Sequence, residues 1–215
     1  MYSEPISSSS SFGSTSASIN SKGSNQLHRI FYFLNANTKW YVTVVNTMGI
    51  WLRVPHYEGP WIVVGAIASA FLADVLKQIM NHSRPAGSPF TDPGMPSSHS
   101  LVCFFMAAAW TTLLDPSLWI TGNCHSLWIG RGFAWTSAAT IALLRVVCGY
   151  HSWNQIGVGA ALGVTMGWVW ATTGQIIYQA QPQFTTILAW VLYLAGSALF
   201  MVKKMKTWLG EHKHL

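Results

Sequence analysis

Six long apolar runs, separated by short polar segments, account for most of the chain. They cover residues 39–55, 61–80, 98–115, 127–148, 153–179 and 184–202. Each run approaches the length that an α-helix needs to cross a bilayer at about 1.5 Å per residue. The pattern therefore predicts an all-α, polytopic membrane helix bundle of about six transmembrane helices. The first run is the shortest, because only 13 residues lie between Lys39 and Arg53, and its loss would leave five spans.

The composition favours a membrane location over a soluble core. Charged residues make up 8% of the chain and hydrophobic residues 51%, whereas about a quarter of a soluble domain is charged. The 12 Trp and 7 Tyr are typical of aromatic rings at the headgroup level. The net charge of +6 contains no basic run interleaved with stacking aromatics, so we expect no nucleic-acid partner. The oligomeric state stays open.

Residues 1–27 differ from the rest of the chain, because they are rich in Ser and poor in apolar side chains. Such a segment buries too little apolar surface to offset the entropy of ordering. Ser richness with a single acid, Glu4, is also typical of an organellar transit peptide, although positive charge comes only from Lys22 and Arg29. We therefore expect a disordered tail or a transit peptide, followed by a membrane-embedded domain over 28–215.

Two features within the apolar runs predict helix contacts and pairing. Gly159, Gly163 and Gly167 recur at four-residue spacing, which removes side chains from one helix face and permits close approach of another helix. Asp74 lies one turn before Lys77, and we expect these two side chains to form an ion pair.

Polar and charged residues are concentrated at two junctions between apolar runs. The first junction spans 77–99 and is broken by Pro and Gly, and the second spans 145–155. With six spans both junctions lie on the same side of the membrane, so we expect them to meet. Their candidate site residues with ionisable side chains are Lys77, Arg84, His99, Arg145 and His151. Two further residues, His82 and Asp92, are interpreted as an exposed loop histidine and a turn residue.

These residue types suit a phosphate ester. Its own negative charge repels nucleophiles, so cleavage depends on in-line positioning and on charge neutralisation. Lys77, Arg84 and Arg145 have the geometry and charge for that neutralisation, which is why we expect neither a metal ion nor another cofactor. Ser97 and Ser98 open the third run in the manner of a helix cap, where free N–H groups form an anion site.

The two histidines fit two different tasks. One must attack phosphorus as a neutral imidazole, and the other must protonate the departing alkoxide. Gln155 lies one helical turn after His151, where its side chain would hold one ring nitrogen and leave the other lone pair exposed. We therefore predict His151 as nucleophile, Gln155 as the residue that orients it, and His99 as acid. In the alternative interpretation both are interfacial histidines, beside cations that only reach towards headgroups.

Three ordered motifs in this sequence resemble a known family. They are Lys77 with Arg84-Pro85, then Pro96-Ser97-Ser98-His99, then Arg145 with His151. Together they resemble the tripartite signature of the type 2 phosphatidate phosphatase superfamily. The resemblance implies a helical membrane bundle and metal-independent hydrolysis through a phosphohistidine intermediate. It also implies phosphate-binding roles for Lys77, Arg84, Ser97 and Arg145, and it assigns His99 and His151 the roles given above.

Three positions depart from the usual family pattern. Ser98 replaces a glycine, which keeps the backbone donor to phosphate, and Leu144 replaces a serine before Arg145. Gln155 replaces an aspartate, and an amide orients an imidazole but cannot stabilise an imidazolium by charge. Ser98 and Gln155 resemble the dolichyl diphosphatase branch and the plastid epsilon-type lipid phosphate phosphatases. Further likeness to the plastid type lies in Asn35-Ala36, Lys39-Trp40 and Asp92-Pro93-Gly94-Met95.

The residues and the resemblance together predict a lipid phosphatase of the endoplasmic reticulum or of a plastid membrane. Its substrate would be phosphatidate, released as diacylglycerol, or a dolichyl or polyprenyl diphosphate, released as the monophosphate. The expected partners are this lipid phosphate and the bilayer. The Leu144 and Gln155 departures favour an alternative, a catalytically silent lipid-phosphate binder. A transporter is less supported, because Asp74 is the only acid that would lie along a polar path through the spans.

Overall fold

The computed structural model describes residues 56–113 and 124–211. Nearer the N-terminus it describes 26, 29–35, 37, 38, 41, 44 and 48. For 124–128 and 203–211 it describes the backbone only. The predicted Ser-rich tail lies outside the described residues except at Gln26.

Five α-helices follow one another in the continuous part of the structure. They are α1 (Glu58–Met80), α2 (Ser98–Leu113), α3 (Cys124–Val147), α4 (Trp153–Ala180) and α5 (Pro182–Glu211). Each corresponds to one of the last five apolar runs, and the described residues contain no strand. The prediction of an all-α fold is therefore confirmed. Of the first run, 39–55, the structure describes only Tyr41, Val44 and Met48, which are helical.

Three of these helices are long and apolar enough to cross a membrane, namely α1, α4 and the Pro182–Val202 part of α5. Helix α2 is also apolar but has only 16 residues. Large apolar side chains such as Ile79, Ile187 and Leu199 are exposed on the outside of the bundle. Exposed apolar surface on this scale marks contact with lipid rather than with water.

Helices α2 and α4 pack with their backbones in close contact, as the glycine spacing predicts. A Cβ atom on each of the three glycines would collide with a carbonyl oxygen, in the pairs Gly159–Ser97, Gly163–Leu101 and Gly167–Phe105. At the start of both helices the Ser100 hydroxyl donates to the Ile156 carbonyl at 2.8 Å. The first turn of α2 is therefore held directly against the first turn of α4.

Helix α1 packs on α4 at the other end of the bundle. The Trp61 and Trp170 rings stack with centroids 4.8 Å apart, and each indole N–H donates to the other residue's carbonyl, at 3.0 and 2.8 Å. Tyr57 and Tyr178 stack beside them at 4.3 Å. Because α1 and α4 run in opposite directions, this contact brings the last turn of α1 to the end of the bundle where α4 begins.

Candidate active site

The two polar junctions meet at this end of the bundle. Arg84 Nη1 donates to the Tyr150 carbonyl at 3.0 Å, and Gln155 Nε2 donates to the Ser83 carbonyl at 2.8 Å. The Ser97 N–H donates to the Gln155 carbonyl at 3.1 Å. Residues from the end of α1, the start of α2, the end of α3 and the start of α4 thus surround one site.

The end of α3 folds so that His151 returns to Arg145. Gly149 has a φ of 72°, a left-handed conformation that glycine adopts without steric cost. After this turn the N–H groups of Tyr150 and His151 both donate to the Arg145 carbonyl, at 2.9 and 3.2 Å. The local sequence therefore places the proposed nucleophile beside one of the predicted phosphate-binding cations.

Gln155 holds the His151 ring, as the sequence predicts. It is the third residue of α4 and forms a capping box with Ser152: its Oε1 accepts from the Ser152 N–H at 3.1 Å. The same Oε1 lies 3.2 Å from His151 Nδ1, and Gln155 Nε2 donates to the Ser83 carbonyl. Because Oε1 is the acceptor, His151 Nδ1 carries the proton. The Nε2 lone pair of His151 is left on the other side of the ring, 3.2 Å from Arg84 Nη1.

The His151 ring is buried, with 3% of the residue exposed. Burial, followed by the positive charges of Arg84 and Arg145, lowers the pKa of His151 to about 4, although the hydrogen bond with Gln155 acts in the opposite direction. The imidazole is therefore uncharged at neutral pH, which is the form that a nucleophile requires.

Arg84 and Lys77 share one carboxylate, that of Asp92. Arg84 Nη2 lies 2.9 and 2.8 Å from the two carboxylate oxygens, and Arg84 Nε donates to the Asp92 carbonyl at 3.0 Å. Lys77 Nζ lies 3.3 Å from Asp92 Oδ2. The expected ion pair between Lys77 and Asp74 is not among the ion pairs of the described residues, so Lys77 pairs across the loop rather than along its own helix.

Arg145 approaches the site from α3 and is 7% exposed. Its Nη1 donates to Asn35 Oδ1 at 3.1 Å, and its guanidinium carbon lies 4.6 Å from the centroid of the Tyr150 ring. Its Nε is buried and has no hydrogen-bond partner. Two contacts therefore orient the guanidinium while the buried Nε–H stays unpaired.

Ser97 and Ser98 lie where α2 begins. Ser97 is fully buried, and the hydroxyl oxygens of both serines are buried without a hydrogen-bond partner. Buried polar atoms are almost always paired in folded proteins. Unpaired hydroxyls at a helix N-terminus, together with Arg145 Nε, are the groups that an anion would satisfy.

His99 follows them in the first turn of α2 and is partly buried. It interacts electrostatically with all four other ionisable candidates, Arg145, His151, Lys77 and Arg84. The structure thus brings every residue of the predicted site to the same end of the bundle.

Three residues of the site were not predicted. Asp92 was interpreted as a turn residue, and Asn35 and Tyr150 were given no role, yet all three contact a predicted cation. His82 is exposed, as expected, but its Nδ1 lies 3.3 Å from Gln155 Nε2. An acid in the same polar junction as Lys77 and Arg84 was the available signal for Asp92. No local pattern indicates Asn35 as a partner of Arg145.

The sequence model described as the PAP2 superfamily matches residues 59–179, which is more than half of the chain. Lipid phosphate phosphatase epsilon 2, chloroplastic, from Arabidopsis thaliana is 29% identical over 184 residues, covering 83% of this chain and 62% of the relative. Lipid phosphate phosphatase epsilon 1, chloroplastic, from the same plant is 33% identical over 141 residues, covering 65% and 48%.

Dolichyldiphosphatase 1 from Dictyostelium discoideum is 33% identical over 95 residues, covering 44% of this chain and 41% of the relative. The chain therefore spans less than two thirds of the length of each of these three relatives. No solved structure matches the chain.

Proposed function

The chain belongs to the PAP2 superfamily, and we propose that it is a membrane lipid phosphatase that needs no metal ion. Its substrate would be a phosphate or diphosphate ester whose lipid tail stays in the bilayer. The relatives named lipid phosphate phosphatase and dolichyldiphosphatase support this substrate class. The site lies at the ends of apolar helices, where a lipid headgroup meets water. The two candidate reactions are phosphatidate to diacylglycerol, and dolichyl or polyprenyl diphosphate to the monophosphate.

The observation that carries the proposal is the state of His151. Its ring is neutral, its proton is held on Nδ1 by Gln155, and its Nε2 lone pair faces Arg84. A histidine that only anchors a helix end at the interface needs none of these three properties. A histidine that attacks phosphorus needs the neutral ring and the proton on Nδ1, and the nearby Arg84 would bring the phosphate to Nε2 as it releases that lone pair.

We assign the phosphate to Lys77, Arg84, Arg145, Ser97 and Ser98. Guanidinium groups bind phosphoryl oxygens through pairs of parallel hydrogen bonds, and the lysine adds a point charge. The unpaired serine hydroxyls and Arg145 Nε would donate to the remaining oxygens. The cations thereby neutralise the charge that develops on the equatorial oxygens in the transition state.

The reaction then proceeds in two steps. His151 Nε2 forms a bond to phosphorus while the bond from phosphorus to the leaving oxygen breaks. His99, which takes up a proton when the phosphate anion binds beside it, gives that proton to the leaving oxygen. In the second step neutral His99 takes a proton from water, and the resulting hydroxide attacks phosphorus. The bond between phosphorus and His151 breaks and inorganic phosphate is released. Neutral His151 and protonated His99 are thereby restored.

The cellular setting follows from the same comparisons. We propose an integral membrane protein of the endoplasmic reticulum or of a plastid membrane, since the relatives are named for chloroplasts or for a dolichyl substrate. Residues 28–215 would form the membrane domain, and 1–27 a tail or transit peptide.

A panel assay tests the proposal. The purified full chain in detergent micelles is given phosphatidate, a polyprenyl diphosphate and dolichyl diphosphate, each with excess chelator, and phosphate release is measured. We expect release from at least one substrate. The change His151→Ala should lower it to below about one thousandth, because the nucleophile is removed. His56→Ala, which alters an exposed histidine outside the site, is the matched control and should leave the rate unchanged. Release that depends on added metal, or that survives His151→Ala, would contradict the proposal.

A catalytically silent lipid-phosphate binder is the second candidate, and Gln155 is the observation that favours it. An uncharged partner cannot stabilise the imidazolium that a histidine nucleophile forms in part of the cycle. Rapid mixing with substrate labelled on the terminal phosphate, followed by an alkaline quench, distinguishes the two. Label on His151 supports the enzyme. Bound substrate without label on the protein supports the silent binder.

A further inference from the structure

Every nitrogen of the Arg84 guanidinium lies within hydrogen-bond distance of an acceptor. A guanidinium carries five N–H groups. Nε donates to the Asp92 carbonyl, Nη2 donates to the Asp92 carboxylate, whose two oxygens lie 2.9 and 2.8 Å away, and Nη1 donates to the Tyr150 carbonyl and lies 3.2 Å from His151 Nε2. A phosphate that binds Arg84 Nη2 at this position therefore competes with the Asp92 carboxylate.

The Asp92 carboxylate is the acceptor that is easiest to displace. Its side chain is 51% exposed, whereas the Arg84 side chain is 7% exposed. The Asp92 carboxylate leaves by rotation of the side chain alone, while the backbone carbonyls of Asp92 and Tyr150 keep the guanidinium in place. The loop itself is tied down, because the Gly94 N–H donates to the His82 carbonyl at 2.8 Å.

The carboxylate also has the contacts expected of a phosphate. Asp92 Oδ2 lies 2.8 Å from Arg84 Nη2 and 3.3 Å from Lys77 Nζ, so it bridges two of the three cations that we assign to the substrate. Burial acts to raise the pKa of Asp92, but the hydrogen bond and charge of Arg84 and the charge of Lys77 outweigh it, and the pKa is lowered. The group is therefore a carboxylate anion at neutral pH.

We propose that Asp92 is a tethered counter-ion of the phosphate site. Between turnovers its carboxylate neutralises Lys77 and Arg84; the substrate's phosphate displaces it; and it returns to the cations as the product phosphate leaves. The inference rests on the proposed phosphatase function and assigns to Asp92 the control of phosphate affinity and release.

Physical chemistry gives this arrangement two advantages. Two cations beside a buried histidine are destabilising when they lack a counter-charge, and the carboxylate supplies one. A phosphate held by three cations would also dissociate slowly. An anion tethered at an effective concentration of about millimolar or more competes with it and accelerates release.

The test is the binding of inorganic phosphate to the purified full chain in detergent micelles, measured by calorimetry. Asp92→Asn removes the competing charge at nearly constant shape, so we expect the dissociation constant to fall about tenfold, roughly the effect of one charge-assisted hydrogen bond. Asp92→Ser is measured in parallel, so that the result does not depend on the folding of one variant. Asp74→Asn is the matched control: it removes the same charge one turn from Lys77, has no contact with Arg84, and should change affinity less than about twofold.

The outcomes separate Asp92 from the phosphatase itself. Weaker phosphate binding in Asp92→Asn and Asp92→Ser would mean that the carboxylate only supports Arg84. Unchanged phosphate binding in these two variants would also overturn the proposal. So would an equal gain in affinity in the control variant, Asp74→Asn. Phosphate binding that Arg145→Ala weakens supports the phosphate site whatever Asp92 does. If the unaltered chain and both neutral Asp92 variants bind no phosphate, the counter-ion and the proposed function fall together.

Discussion

At the scale of single residues, His151 shows how an uncharged partner fixes one tautomer of a buried imidazole. The Ser152 N–H donates to Gln155 Oε1, which identifies this side-chain atom as the amide oxygen. The same oxygen accepts from His151 Nδ1 and so fixes the tautomer with the proton on Nδ1. The amide adds no negative charge, so it does little to oppose burial and the neighbouring cations. His151 therefore keeps a low pKa of about 4 and stays ready to attack across the physiological range.

This state has a measurable pH dependence. The acid limb of kcat/KM should lie below pH 6.5, the value of a free imidazole, because His151 in the folded chain takes up a proton only near pH 4. The same shift affects folding. Between those two pH values the unfolded chain binds a proton at His151 and the folded chain does not. The free energy of unfolding therefore decreases as the pH falls from about 6.5 to 4. An acid limb at or above pH 6.5 that belongs to His151 would contradict the assignment.

The change Gln155→Glu should move that limb. A carboxylate beside His151 stabilises the imidazolium by charge, so the limb should rise by about one pH unit or more. Gln175→Glu is the control, since it makes the same change on α4 where the side chain contacts the Thr112 carbonyl. A limb that stays in place in Gln155→Glu would show that the amide does not control the nucleophile's basicity.

At the scale of helices, the contact between α2 and α4 sets the relative positions of acid and nucleophile. His99 is the second residue of α2 and His151 lies two residues before α4, and the glycine face of α4 lets the two backbones touch. The contact therefore stabilises the fold and aligns the site.

Gly163→Ala tests this double role. A Cβ at Gly163 would collide with the Leu101 carbonyl, and because the obstacle is backbone the helices must separate. We expect a loss of about 1–3 kcal/mol in unfolding free energy and a parallel loss of kcat. Gly157→Ala is the matched control on α4, since a Cβ there has nothing within 4 Å and should gain up to about 1 kcal/mol from helix propensity. Thermal unfolding in detergent measures both. Equal stability of the two variants would contradict the close-packing explanation.

The helices and the hydrogen bond between His151 and Gln155 could be predicted from the sequence, because each depends on residues that are close together in the chain. A glycine every fourth residue marks one helix face. His151 and Gln155 meet at the start of α4, where Gln155 also forms the capping box with Ser152. The ion pair of Lys77 could not be predicted in this way. Asp74 had the right spacing, but Asp92 reaches Lys77 through the path of a loop.

That loop path depends on tertiary contacts that no local pattern contains. Gly94 lies so close to Gln155 that a Cβ would come within 2.6 Å of its Nε2 and 2.8 Å of Arg84 Cγ. Asn35 reaches Arg145 from a distant part of the chain in the same way. The residue types of the site could be predicted from the sequence, whereas the partners of its cations depend on three-dimensional packing.

At the scale of the whole molecule, the bundle has two different ends. The site occupies the end where α1 stops and α4 starts, and the stacked Trp61 and Trp170 lie towards the other end. Helix α4 has 28 residues, which corresponds to about 42 Å, enough to cross a bilayer. The two ends should therefore face opposite sides of a membrane.

Labelling in sealed vesicles tests this arrangement. Single cysteines are introduced at Ala86, in the exposed site loop, or at Gln181, in the exposed turn between α4 and α5, after replacement of the three native cysteines. A membrane-impermeant maleimide should label the two variants in complementary fractions that sum to about the whole population, because each molecule exposes only one end. Both should label fully once detergent is added. Full labelling of both in intact vesicles would place the two ends on one side.

The hydrogen bonds at the start of α2 and α4 divide the site into two parts of unequal stiffness. Ser97 and Ser100 tie α2 to the backbone of α4, so the distance between acid and nucleophile is a property of the bundle. Lys77 and Arg84 belong to the end of α1 and to the loop over 81–97. A headgroup with one phosphate and a headgroup with two differ in size, and the side chains of Lys77 and Asp92 can rotate to fit that difference without disturbing the geometry of attack. One small bundle can therefore accept headgroups of different size while the distance between His99 and His151 stays the same.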